Sequence, residues 1–267
     1  MNPYVAVFGV IFLVSLAIPA LLYLLRHFFF CCGKKVRHIS GTTFSLFASL
    51  YAFFLGFYVV SLWNDFGVAK SVVADEANAI HAAHYYSCEF RDSVAFREAL
   101  GRYARSVMTE EWAVMNRDLT MNPHTHALYL AVWEAFRALR PENKEDNILY
   151  VNLGNQLLES SRQRNARQLL LCGNIYPPVW VIIIFGFFGS CLALFCANPD
   201  QEGGQLLMEF VVVFTVLSCI YFIYDISSPF SGIMNIPPDA FRTLLVHMRE
   251  TDPAVALAVP AVGASGF

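Results

Sequence analysis

The sequence predicts an all-α integral membrane protein, with four transmembrane helices in a two-plus-two arrangement around a helical insert. Three observations carry this. Hydrophobic residues make up 57% of the chain and charged residues only 15%, against roughly 45–50% and about 25% in soluble domains. The apolar excess is gathered into four runs, each long enough to cross a hydrocarbon core of about 30 Å. Between the second and third runs lies a segment of ordinary polarity in which apolar residues recur at helical spacing, with no competing strand pattern.

The first pair of spans occupies residues 1–63. Tyr4 to Leu25 carries no charge. It is too long for a signal-peptide core and no small-residue cleavage site follows it, so it reads as a retained span. A basic loop over 26–41 holds Arg26, Lys34, Lys35 and Arg37, and the second span runs from Thr42 to Trp63. The insert, 64–174, breaks at Met121-Asn122-Pro123 and at Arg140-Pro141-Glu142-Asn143. These breaks predict helices near 65–88, 92–118, 124–139 and 145–172. The first and last of them can continue spans two and three without interruption.

The second pair, 175–226, comprises Ile175 to Ala197 and Gln205 to Tyr224. Pro177 and Pro178 fall in the first turn of span three, where a missing N–H costs least. Glu209 is expected in the first turn of span four, within reach of the interface. A post-membrane segment with a Pro-Phe-Ser-Gly core follows over 227–251, and the Ala-, Val-, Pro- and Gly-rich end, 252–267, reads as a flexible tail.

A net charge of −3 with pI near 6.1 gives no basic face for a nucleic-acid partner. The seven cysteines are odd in number and irregularly spaced, which excludes a secreted disulfide scaffold. There is no Gly-x-Ser-x-Gly elbow, no phosphate-cradling Gly-rich loop and no His-Glu-x-x-His helix, so no enzyme class and no cofactor is indicated. The best metal candidate is His81, His84 and Cys88, which project from one helix face with Glu89 adjacent. A further ligand must come from elsewhere in the chain, His124 or His126 being available. The plainer reading of the same residues is a polar helix surface or histidines at a helix interface.

Span two carries the more informative pattern. Ser49, Phe53 and Phe57 stack at four-residue intervals, beside a small-residue stripe of Ser45, Ala52 and Gly56 on which another helix can pack. A phenylalanine stripe facing a symmetry axis forms a hydrophobic constriction, and electropositive ring edges suit an anion better than a cation. The residues alone leave open whether the stripe faces an axis, lipid or another helix. Asp75 and Glu76 read as a solvated face or as partners for Arg162, Arg164 or Arg167, in exposed pairs worth about 0–1 kcal/mol each. Those arginines have a second reading, as cations drawing anions into a vestibule.

At these residues the chain resembles the bestrophins. Phe53-Phe54-Leu55-Gly56-Phe57-Tyr58-Val59 is similar to their second transmembrane helix, with Phe53 and Phe57 matching neck-lining phenylalanines. Ser49 falls one turn earlier, where the family usually has an aliphatic residue. After span four, Asp225-Ile226-Ser227-Ser228-Pro229-Phe230-Ser231-Gly232 and Asn235-Ile236-Pro237-Pro238-Asp239 resemble the family's acidic-Pro-Phe-Gly segment and its continuation. With Val73-Ala74-Asp75-Glu76-Ala77-Asn78-Ala79-Ile80, the similarity is closer to a bestrophin-like group of membrane proteins and spans most of residues 42–242. Asp75, Glu76, Asn78, Asp225, Pro229, Phe230 and Gly232 are thereby singled out as a structural motif. The family's arginine and tryptophan pair after span two is not kept, and Ser227-Ser228 replaces a dense acidic run. Asp225, Asp239 and Asn235 are a thin supply of oxygens for calcium, which takes six to eight.

What the resemblance implies is a homo-oligomeric, pentameric ion channel with chloride and other small anions preferred, lodged in the lipid bilayer of the cell inner membrane. It also implies a cytoplasmic insert. The basic residues near span ends divide four against five and lean slightly the other way. Two alternatives stand beside the channel: a non-conducting scaffold or sensor whose insert binds a partner, and a metal-dependent membrane enzyme built on His81, His84 and Cys88.

Overall fold

The computed structural model describes residues 3–29, 40–90, 92–171, 177–196 and 202–259, and among these the regular structure is wholly helical. In chain order the helices are α1 (Pro3–Phe29), α2 (Ser40–Cys88), α3 (Val94–Ser106), a π-helical turn (Val107–Glu111), α4 (Trp112–Asp118), α5 (Pro123–Ala138), α6 (Lys144–Leu170), α7 (Pro177–Cys196), α8 (Glu202–Ile226), α9 (Asp239–Thr251) and α10 (Pro253–Ala258). Four of them contain stretches apolar and long enough to span a bilayer, namely Pro3–Leu25, Ser45–Cys88, Pro177–Leu194 and Leu206–Ile226. The chain is an integral membrane protein. Its residues separate into two compact units, Met1–Asn64 with Asn174–Ser227, and Asp65–Gly173 with Ser228–Phe267.

In the first, membrane unit, hydroxyls that lipid cannot solvate fold back on their own helices. Ser15 donates to the Ile11 carbonyl at 2.7 Å, Ser49 to Ser45 at 2.8 Å and Ser190 to Gly186 at 2.9 Å. Edge-to-face rings join α1 to α8, with Phe12 and Phe210 centroids 5.3 Å apart. Close approach between α2 and α7 is made by glycine. A Cβ on Gly186 would lie 2.1 Å from Tyr51 Cε2 and one on Gly189 would lie 2.6 Å from Phe47 Cζ. The Tyr51 hydroxyl, so seated, donates to the Ile183 carbonyl at 2.8 Å.

Within the chain the small residues that admit a neighbour are on α7, while Ser45, Ala52 and Gly56 are exposed and a Cβ on Gly56 would meet nothing within 4 Å. One expectation about this unit is corrected: helix α8 starts at Glu202, so Glu209 lies about two turns inside it and is buried, not in the first turn.

In the second unit α2 continues unbroken to Cys88 and packs its Ala69, Val73, Ala77, Ile80 and Ala83 into an apolar core with α3, α5, α6, α9 and α10. The Pro and Asn signals act as start points. Asn122 caps α5 by accepting the His124 N–H, with Pro123 at the first helical position, and Asn143 Oδ1 accepts the Asp146 N–H at 2.7 Å. The segment expected as one helix over 92–118 is helical without a break from Val94 to Asp118, with a π turn at Val107–Glu111 inside it, and is capped by Leu119 in the left-handed conformation at φ 53°.

The tail expected to be flexible from Asp252 begins with α10. Asp252 caps it by accepting the Ala254 N–H at 2.9 Å, and Val255 and Val259 are buried against α3. Gly101 permits this contact, since a Cβ there would lie 2.9 Å from Val255 Cγ1. The expected continuity between α6 and α7 falls on residues 172–176, and the basic loop with Lys34, Lys35 and Arg37 on 30–39. Both lie outside the described residues, as do residues 260–267.

Candidate pore face and buried charge cluster

The residues singled out on span two share one exposed face of α2. Phe53 is 74% and Phe57 68% exposed, and Leu46, Leu50 and Val60 extend the same stripe at three- and four-residue steps. Ser49 is exposed beside them, its hydroxyl already satisfied by the Ser45 carbonyl. On the opposite face Tyr51, Leu55 and Leu62 are buried. One face of the helix is thus packed within the chain and the other, apolar, is left without a covering segment among the described residues.

The insert holds a charge cluster sealed from solvent. Glu76 from α2, Glu111 from the π turn, and Arg164 and Arg167 from α6 are all buried, as is Tyr103 from α3. Arg167 donates from Nε to Glu76 Oε2 at 2.7 Å and its Nη2 lies 2.8 Å from Glu111 Oε1. Arg164 grips Glu111 with both terminal nitrogens, at 2.8 and 2.9 Å. The Tyr103 hydroxyl donates to Glu76 Oε1 at 2.6 Å and accepts from Arg164 Nη1 at 3.0 Å. Met115 Sδ, 3.0 Å from Arg167 Nη1, and the Trp112 ring, 5.5 Å from the guanidinium carbon, close the set.

Two carboxylates and two guanidiniums balance, which is what permits burial of four charges. Burial alone would lower the Arg167 pKa, but the carboxylates of Glu76 and Glu111 outweigh it and hold the guanidinium firmly charged. Burial, reinforced by the Glu76 carboxylate, pushes the Tyr103 phenol well above its ordinary value, so it stays a donor.

The Glu76 pairing expected from sequence is therefore formed, but as a buried pair and not an exposed one. Asp75 and Asn78 are exposed on the far side of α2. Arg162 is exposed and pairs with Glu159 at 2.7 Å. Arg164 and Arg167 are withdrawn from solvent, which removes them as cations lining a vestibule. Sequence reasoning missed Tyr103 and Glu111. A usable signal existed, because Arg164 and Arg167 continue the apolar face of Leu153 and Leu157, and Glu76 lies on the stripe of Val73 and Ile80.

The post-membrane segment is anchored by Phe230, only 1% exposed, edge-on to Trp112 with centroids 5.9 Å apart. Gly232 turns the chain at φ 81°, a conformation that favours glycine. The turn closes with the Ile236 N–H donating to the Pro229 carbonyl at 2.8 Å, and Trp112 Nε1 donates to the Ile236 carbonyl at 2.9 Å. Asp225 is buried, and Asp239 pairs with Arg242 at 2.7 Å on the surface.

Of the three expected metal ligands, His84 and Cys88 lie together, with Nε2 and Sγ 4.0 Å apart. His81 is exposed and faces the His247 ring, with centroids 5.8 Å apart. The neighbour that sequence reasoning did not name is Asp252, whose Oδ2 is 3.3 Å from His84 Nε2 and 2.6 Å from Arg97 Nε. His124 pairs with Glu110 at 2.7 Å on the surface.

Residues 11–241 match the Bestrophin-like domain. The chain belongs to the bestrophin-like family. No curated protein matches the chain. Among solved structures it is similar to two single-substitution variants of a bacterial bestrophin homologue from Klebsiella pneumoniae. The first has 14% identity and a TM-score of 0.69, with 95% of this chain and 99% of that one covered. The second has 16% identity, a TM-score of 0.69, and coverage of 90% and 97%. The bestrophin-like family and its fold together support an ion channel of that family.

Proposed function

We propose that this protein is an oligomeric bestrophin-like ion channel that prefers small anions, with a hydrophobic neck formed by copies of α2 around a common axis. The observation that carries this reading is the exposed stripe through Phe53 and Phe57, opposite the face of α2 that packs against α7. Four spans of one chain enclose too little space for a hydrated pore, whereas copies of one helix ringed about an axis enclose enough. The resemblance to bestrophins suggests five copies. It also suggests an inner-membrane location with the insert in the cytoplasm.

Residues 42–63 contain no ionisable acid or base other than tyrosine. Selection at the neck then falls to the aromatic ring edges and to dewetting, with the Ser49 hydroxyl one turn away. Purified protein in liposomes should pass chloride down a gradient, and the Phe53→Ala, Phe57→Ala double variant should change that flux. Potassium gradients measured separately report selectivity. Absence of flux from intact oligomers would replace the channel by a membrane scaffold or sensor.

A further inference from the structure

We infer that His84, Cys88 and Asp252 form a binding site for a thiophilic divalent cation of the zinc class, at the end of α2 and the α9–α10 junction. The ligand atoms of these residues lie within 4.8 Å of one another. His84 and Cys88 stand one turn apart on one face of α2, and Asp252 is brought to them from 168 positions along the chain. This third ligand comes from a separate element, the requirement that a pair on a single helix does not meet. Nitrogen, sulfur and a single carboxylate oxygen suit zinc and exclude calcium or magnesium, which demand oxygen shells.

The geometry is near to what the ion needs. Tetrahedral zinc with bonds of about 2.0–2.3 Å places its ligand atoms about 3.5 Å apart. His84 Nε2 is 3.3 Å from Asp252 Oδ2 and 4.0 Å from Cys88 Sγ. The remaining closure falls to Cys88, whose side chain is exposed and can turn toward the pair.

Around the ligands the support is already built. Asp252 Oδ1 accepts the Ala254 N–H at 2.9 Å, which orients the carboxylate. Arg97 Nε lies 2.6 Å from Oδ2, and a carboxylate oxygen has a second lone pair for the metal. An outer hydrogen bond to a ligating carboxylate, here the one from the Ala254 N–H, is the usual accompaniment of a metal site. His84 and Asp252 are buried while Cys88 reaches solvent, so the ion enters from the Cys88 side and its fourth position is open to water. Binding would tie α2, α3 through Arg97, and the start of α10 together within the insert unit.

The test uses full-length protein in detergent, stripped with chelator and titrated with cobalt(II), then with zinc in competition. The expected result is one ion per chain with a thiolate-to-cobalt absorption band that zinc abolishes. Cys88→Ser, a change at an exposed position, should lose the band. Asp252→Asn should weaken zinc binding by roughly tenfold or more, and His81→Ala should bind as the parent does. No thiolate band in the parent, or a band that survives Cys88→Ser, would overturn the site. So would loss of binding in His81→Ala with Cys88→Ser unaffected.

Discussion

Arg167 Nε lies 2.7 Å from Glu76 Oε2, and neither side chain has any exposed surface. This pair joins α6 to α2, helices whose contributing residues are 91 positions apart, and it is balanced by the Glu111 and Arg164 pair beside it. Removing one member leaves a buried charge without its partner. Arg167→Met should therefore destabilise the protein by about 3–5 kcal/mol. The Glu76→Leu, Arg167→Met double variant leaves Glu111 and Arg164 neutral as a pair and should recover a large part of the loss. Thermal melting of the detergent-purified variants, followed by size-exclusion recovery, checks both outcomes.

Alkaline pH should act on the same cluster through Tyr103. Its folded pKa is raised, by burial first and by the Glu76 carboxylate second. Above about pH 10 the unfolded chain loses the phenol proton while the folded protein keeps it. The folded state then binds more protons, and stability falls as pH rises through that value. Tyr103→Phe should flatten this alkaline decline while lowering stability near neutrality by about 1.5–3 kcal/mol, since the hydroxyl bonds the charged Glu76 and Arg164. Melting temperature measured against pH for the two proteins is the comparison.

Glycine substitutions separate the packed face of the membrane unit from the open one. Gly186→Ala places a Cβ 2.1 Å from the Tyr51 ring, which must move and release the Ile183 carbonyl. A loss of about 1–3 kcal/mol is expected from overpacking. Gly56→Ala meets nothing within 4 Å in the chain and should leave its melting unchanged or raised. Equal destabilisation by both changes would show that the α2 and α7 contact does not limit stability.

The turn after span four should be sensitive at one backbone position. Gly232 has φ 81°, and an alanine there carries a steric cost of about 1–2 kcal/mol. Phe230→Ala removes a ring packed on Trp112, with an expected loss of about 3–5 kcal/mol. Both should be visible as lower yields of folded protein and earlier melting.

Much of the architecture was legible along the chain because its signals are local. The uninterrupted apolar runs marked the spans, and Asn122-Pro123 and Asn143 marked helix starts by the capping chemistry found there. The stripe through Phe53 and Phe57 followed from spacing alone, and its exposure in the chain agrees with a face turned outward. The order of residues 252–259 is not legible in the sequence, because a short Ala- and Val-rich helix has no polar face to give it a period. Its order comes from Asp252 capping and from Gly101 admitting Val255.

By itself, the sequence determined the membrane class, the two-plus-two order of spans and the helical insert, since hydropathy and helical period depend only on neighbours a few residues away. Tertiary structure alone decided which charges are buried. Glu76 and Asp75 are adjacent in sequence, yet one is sealed against Arg167 and the other faces solvent, because successive helical positions point about 100° apart. It also decided that Asp252 meets His84 and Arg97, and that Glu111 meets Arg164. Those contacts require distant segments to share one core, and the free energy that brings them together belongs to the packing of Phe230, Phe241 and Val255 as much as to the charged groups themselves.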